Sequence, residues 1–154
     1  MRGSPAPIAF ARGEDRLASA LCAAELGEPW GESDDASLAA ELAPAIARLR
    51  ATVPFATLCL LGRLTLSRSP EVRAQVARVL PWLADLYPER VEQLLEPLAC
   101  DGHRLVRAAV DGALAEILLL ARDPRAIIER WEAKSAHPRE ALRRARRRLP
   151  AFDP

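Results

Sequence analysis

From residue 70 onward, apolar residues recur at helical spacing between prolines. After Pro70 they are Val72, Val76, Val79, Leu80, Leu83 and Leu86, spaced 4, 3, 1, 3 and 3, which is one face of a 3.6-residue helix. Val91, Leu94, Leu95 and Leu98 follow Pro88, and Asp101-Gly102 then interrupts the pattern. A longer stripe comes next: Leu105, Val106, Ala109, Val110, Ala113, Leu114, Ile117 and Leu118. Ile127, Ile128 and Trp131 follow Pro124, and Ala141, Leu142, Ala145 and Leu149 follow Pro138. The spacing predicts a long, a short, a long, a short and a last helix. Upstream it predicts a long amphipathic helix over 37–49, a more apolar one over 54–66, and another over 14–26 joined by a loop over 27–33.

The thirteen prolines of the chain support this division. Proline is tolerated at the first helical position, where its missing N–H would have no intrahelical partner. Ser69-Pro70, Tyr87-Pro88, Asp123-Pro124 and His137-Pro138 each precede an apolar stripe, and Ser69 and Asp123 are residue types suited to capping a helix start.

Composition narrows the fold class further. The 154 residues contain seven Gly, three Phe and one Tyr, against a large excess of Ala, Leu and Arg, which favours helix over sheet. Lys and Arg number 22 and Asp and Glu 21, a net charge of +1. Bulk charge therefore argues against a uniformly basic nucleic-acid coat and a polybasic membrane anchor. The apolar run Ile8-Ala9-Phe10-Ala11 is too short for a secretory signal. Residues 53–61 and 113–121 fall short of the roughly 20 apolar residues that cross a bilayer. The expectation is a soluble, cytoplasmic protein. Cys22, Cys59 and Cys100 are odd in number and widely spaced, so they form neither a metal pattern nor a disulfide framework, and we expect them to be small buried hydrophobes.

The two long stripes align on each other. Val72-Arg73-Ala74-Gln75-Val76 lies over Val106-Arg107-Ala108-Ala109-Val110 at an offset of 34 residues, with Leu80 over Leu114, a period that matches a two-helix repeat unit. The Ser/Asp-Pro-x-Val-Arg pattern and the Leu that ends it, in residues 69–80 and 101–114, resemble the HEAT repeat, including its short bacterial forms. The resemblance covers residues 67–149 and extends more weakly over 37–66. It implies an all-α fold, an α-α superhelix of about three stacked antiparallel hairpins of the HEAT/armadillo type. It also implies a ladder in which Asp101 pairs with Arg107, six residues later; Ser67 stands where Arg73 would find its Asp. Residues 37–150 are expected to form this repeat domain. Residues 1–36 are expected to be a preceding segment with a flexible start, and 151–154 a tail.

In such an array the second helices line a curved face that binds partners. On it the resemblance places Arg90, Gln93, Arg125, Arg130, Trp131 and Lys134, among acidic residues that also suit a solvated face with i,i+4 pairs. Residues 138–149 carry six arginines against Glu140. Arg139, Arg143, Arg144 and Arg147 are candidates for an anion contact, weighed against cations near a helix C-terminus that simply oppose its dipole. The apolar residues of 54–66, Phe55, Leu58, Leu60, Leu61 and Leu64, offer a second contact and a route to self-association if residues 1–36 leave them uncovered. Trp82, Asp85 and Trp131 invite comparison with the HEAT-like DNA-alkylation-repeat glycosylases, whose Trp and Asp side chains stabilise a cationic base in a basic groove. Here residues 67–138 hold ten Arg and Lys against eleven Asp and Glu.

His103 and His137, the two histidines, have neither a metal-ligand spacing nor an adjacent nucleophile, and both are expected in loops or caps. There is no GxxxxGK[ST] or other glycine-rich phosphate cradle. Asp34-Asp35 suits the start of the helix over 37–49 better than an acid/base pair. No catalytic residue, cofactor or metal is assigned. The expected function is a non-enzymatic adaptor or regulatory module that binds another protein through its curved face. The alternative is nucleic-acid binding through the arginine helix, with glycosylase chemistry as a remote extension.

Overall fold

Local chemistry at the X-Pro junctions sets the element order. The computed structural model describes residues 35–150; the helix expected over 14–26, its loop, Cys22 and the tail lie outside them. Seven α-helices follow one another: α1 (Asp35–Thr52), α2 (Pro54–Leu64), α3 (Pro70–Val79), α4 (Pro88–Ala99), α5 (Arg104–Leu120), α6 (Pro124–Glu132) and α7 (Ala136–Arg148). No strand occurs among the described residues, so the all-α class holds there. Pro54, Pro70, Pro88 and Pro124 each open their helix. The Ser69 hydroxyl accepts from the Val72 amide at 3.3 Å and the Asp123 carboxylate from the Ala126 amide at 3.1 Å, satisfying amides that have no intrahelical acceptor. His103 caps α5, its Nδ1 accepting from the Leu105 amide at 3.3 Å.

Three boundaries differ from the expected ones. The helix begun at Pro70 does not run through Leu86: it ends at Val79 and tightens into a 3-10 turn over Leu80–Leu83. Pro81 has no N–H to continue the ladder, and its ring opposes the α geometry of the preceding turn. Leu86 is accordingly 55% exposed rather than buried, and Trp82 and Asp85 do not share one helix. The last helix opens at Ala136 instead of Pro138, with Ser135 in the capping position. Pro138 fits its first turn because amides there need no intrahelical acceptor, and His137 is helical. Finally, α1 is longer than the span 37–49.

α3 packs between α1 and α5, and α5 between α3 and α7. The core follows the apolar spacing: Val72, Val76, Leu80 and Leu83, with Val106, Val110, Leu114 and Leu118, are all buried in one cluster. Fully burying such a side chain is worth about 1.5–3 kcal/mol, so α3 and α5 have ample grounds to pack. α7 has fewer, since it buries only Pro138, Ala141, Leu142 and Ala145. On α2, Leu58, Leu60, Leu61 and Leu64 are buried, whereas Phe55 is exposed, its ring set edge-on to Tyr87 at 6.0 Å. Of the five apolar residues expected to offer a contact there, four are thus part of the core and Phe55 is exposed. Cys59 and Cys100 are exposed, contrary to the expectation of buried thiols. Cys59 is flanked by the buried Leu58 and Leu60 yet points away from the core, and Cys100 sits in the C-cap of α4.

The turns before α3 and α5 make the same contact 34 residues apart. Arg73 Nη1 donates to the Ser67 carbonyl at 2.7 Å, and Arg107 Nη1 to the Asp101 carbonyl at 2.6 Å. The expected carboxylate pair of Asp101 with Arg107 is replaced by one with Arg73, whose Nε and Nη2 donate to Oδ2 and Oδ1 at 2.7 and 3.1 Å. Arg107 has its partner in the Asp101 carbonyl, which frees the carboxylate to meet the fork of Arg73, a geometry that favours bidentate pairing.

These bonds hold the Asp101 carboxyl below the usual aspartate range. The Arg73 hydrogen bond is the main cause, opposed by burial and aided by the His103 amide. Because the folded value lies below the unfolded one, the stabilisation is complete above the unfolded pKa of about 3.9 and is lost as pH falls through the folded value. Urea unfolding of wild type and Asp101→Asn is expected to give a stability gap that is full at pH 7 and shrinks below about pH 4. A gap independent of pH would disconnect Asp101 from acid unfolding.

Candidate docking cleft

Where Pro81 ends the α-helical geometry of α3, Trp82 sits in the 3-10 turn, half-buried and packed against the edge of the core. Trp82 forms one wall of a cleft of about 890 Å³, completed by the start of α4, the end of α5 and the start of α6. That volume lies within the range of ligand sites. Ile117, Leu120, Ala121, Ala126 and Ile127 supply apolar lining. Leu120 is 71% exposed, a residue type that a solvent-facing helix end does not require.

The polar lining is mixed. The Arg50 guanidinium lies 5.4 Å from the Trp82 ring centroid, and its Nη1 donates to the Trp82 carbonyl at 3.2 Å. Glu92 accepts from both Nε and Nη2 of Arg130 and, at 3.2 Å, from the Trp131 indole N–H. This clasp joins α4 to α6 and raises the pKa of the Arg130 guanidinium, chiefly through the Glu92 hydrogen bond against the cost of burial. Asp85, Glu116 and Arg122 line the same space and make no ion pair among the described residues. With Arg50, Arg122 and Arg130 facing Asp85, Glu92, Glu116 and Asp123, the cleft is close to charge-balanced.

The expected curved-face residues divide. Arg130 alone of the six lines the cleft. Arg90, Gln93 and Arg125 are exposed elsewhere. Lys134 is engaged by Glu96 at 2.6 Å. Trp131 is a correction: it is fully buried and presents nothing to a partner, because it lies four residues after the buried Ile127 on the core face of α6. Trp82 and Asp85 both line the cleft without Trp131, so the three do not form a common site. Sequence reasoning missed Arg50, Ile117 and Leu120. The signal for Leu120 was present in the run Leu118-Leu119-Leu120, since one helix face cannot bury three consecutive residues.

Among the arginines of α7, Arg139 and Arg147 are exposed, Arg143 meets Glu140 at 3.1 Å, and Arg144 turns to α5, its Nε donating to Asp111 at 2.7 Å. They are thus not one patch. Among the described residues no group of three His, Cys, Asp or Glu is placed to hold a metal ion, and no helix is long and apolar enough to cross a membrane. No family model, curated protein or solved structure matches this chain.

Proposed function

We propose that this protein is a non-enzymatic, cytoplasmic helical-repeat module of the HEAT type, an adaptor that docks a segment of another protein in the cleft beside Trp82. The observation that carries the reading is the preformed 890 Å³ space that combines a half-buried Trp with exposed Leu120 and balanced charge. A preformed site loses little ordering entropy on binding. Tryptophan and arginine are the residue types that anchor protein interfaces, and charges of both signs around an apolar floor fix the register of a bound segment. A polyanion gains little from such a lining, since its affinity comes from phosphate neutralisation by many cations. The repeated Arg73 and Arg107 contacts, and the order α1, α3, α5, α7 in packing, support the HEAT-like reading, in which α1–α2, α3–α4 and α5–α6 are the three hairpins and α7 covers the end.

The test is site-specific photo-cross-linking in native lysate, with the cross-linking residue at position 120 and, as control, at the exposed position 66. The expected result is a discrete protein adduct from position 120 alone, resistant to nuclease and high salt, and lost in the Trp82→Ala variant. Adducts of equal yield from both positions, or adducts indifferent to Trp82, would overturn the cleft assignment. Nuclease-sensitive, salt-labile material would instead favour the nucleic-acid alternative.

A further inference from the structure

A second concave site lies between the end of α6 and the outer face of α7, remote in lining from the cleft. Arg139, Arg143 and Arg146 stand four and three residues apart, which puts them on one helix face. With Leu142 and Glu132 they enclose about 260 Å³. That is smaller than the pockets that bury drug-sized molecules and suits a single charged group. Present partners hold these arginines loosely. Arg143 meets Glu140 at 3.1 Å with the two side chains 66% and 43% exposed, and Arg146 meets Glu132 at 3.5 Å with 49% and 57%. Exposed pairs of this kind contribute little. Arg139 makes no ion pair among the described residues.

We propose that Arg139, Arg143 and Arg146 bind a phosphomonoester dianion. Two carboxylates, Glu132 and Glu140, already sit beside these guanidiniums, so a ligand carboxylate would bring nothing they lack. A phosphomonoester brings close to two charges and three acceptor oxygens, one for each planar fork. Duplex nucleic acid fits less well. Its phosphodiesters carry one charge each and its binding draws on several contacts along a track, whereas here three arginines are interleaved with two glutamates and Arg144 faces the other way. The phosphate group would come from a phosphorylated side chain or from a small phosphorylated molecule.

Side-chain NMR of the arginine Nε–Hε groups in the full chain tests this, with inorganic phosphate as probe against acetate and chloride at equal ionic strength. Phosphate is expected to produce saturable shifts confined to these three residues, with acetate at least tenfold weaker and the Arg139→Ala/Arg143→Ala variant weakened at least tenfold. Should that variant unfold, Arg139→Gln alone carries the same comparison. A phosphoserine peptide that binds more tightly than inorganic phosphate would identify a protein-borne group; equal affinity would identify a small phosphate. The proposal is overturned if phosphate matches acetate, if shifts spread over arginines throughout the chain, or if the variants bind undiminished. It is also overturned if a DNA duplex binds through the same residues more tightly than the phosphoserine peptide.

Discussion

Arg144→Ala is expected to destabilise the protein by about 3 kcal/mol, the lower end of the cost of removing one partner from a buried ion pair. The Asp111 side chain is 6% exposed. Its Oδ2 accepts from Arg144 Nε at 2.7 Å, and its Oδ1 has no hydrogen-bond partner. That one bond, with the nearby guanidinium charge, is the main compensation for removing the carboxylate from water, and it also raises the pKa of Arg144 against the opposing effect of burial. The pair joins α5 to α7, where α7 adds only Pro138, Ala141, Leu142 and Ala145 to the buried set. Without Arg144 the carboxylate is stranded, and α7 has little apolar area with which to hold its place.

The reverse substitution has a smaller expected cost. Arg144 is 35% exposed and also lies 3.6 Å from Glu140, so in Asp111→Ala it can turn toward water and Glu140. The loss there is expected to be about 1 kcal/mol, that of an ordinary hydrogen bond. Urea unfolding monitored by helical circular dichroism, run as a double-mutant cycle, measures the asymmetry. The double variant is expected to resemble Asp111→Ala rather than the sum of the two singles, because the stranded charge is absent from both. A loss for Arg144→Ala within the roughly 0.5 kcal/mol typical of surface changes would mean that water reaches Asp111.

Pairs such as this one mark where the sequence stops being legible. In the sequence Arg144 is one of several equivalent helix cations, since its partner is 33 residues away on another helix. Asp101 likewise pairs with Arg73, 28 residues back, over the closer Arg107. The starts of α3 and α6 are legible because their causes are local: a proline and a capping side chain within three residues. Buried positions of α3 and α5 are legible because periodicity alone assigns a face. Pro81 misleads for the same reason, since apolar spacing continues through Leu83 while the backbone has lost a donor, and periodicity carries no record of donors. The cleft is illegible because its lining is gathered from α1, the 3-10 turn, α4, α5 and α6, which only tertiary packing brings together. Trp131 is legible although the repeat resemblance misplaces it: adjacent to Arg130, it cannot share that residue's outward face, and its spacing from Ile127 already puts it in the core.

Burial of Trp131 leads to the other large effect. Trp131→Ala is expected to cost about 4 kcal/mol, within the range for deleting a buried aromatic side chain. Against a total stability of about 5–15 kcal/mol for a domain, that is a major fraction, and at this chain length it corresponds to a fall in Tm of roughly 10 °C. Two causes combine. The indole fills space that no neighbouring side chain can occupy without moving α6, which buries only Ile127 besides Trp131. Its N–H also supplies one of the hydrogen bonds that hold Glu92, itself only 10% exposed. Trp131→Phe separates the two: the ring fills most of the volume but leaves Glu92 without that donor, and about 1–2 kcal/mol is expected, as for one unmade bond to a charged group. Because Glu92 and Arg130 line the cleft, the Phe variant is expected to lower the yield of the position-120 adduct while remaining folded, measured by the same cross-linking at a temperature well below its Tm. Undiminished cross-linking would show that the clasp supports the fold of α6 without shaping the cleft.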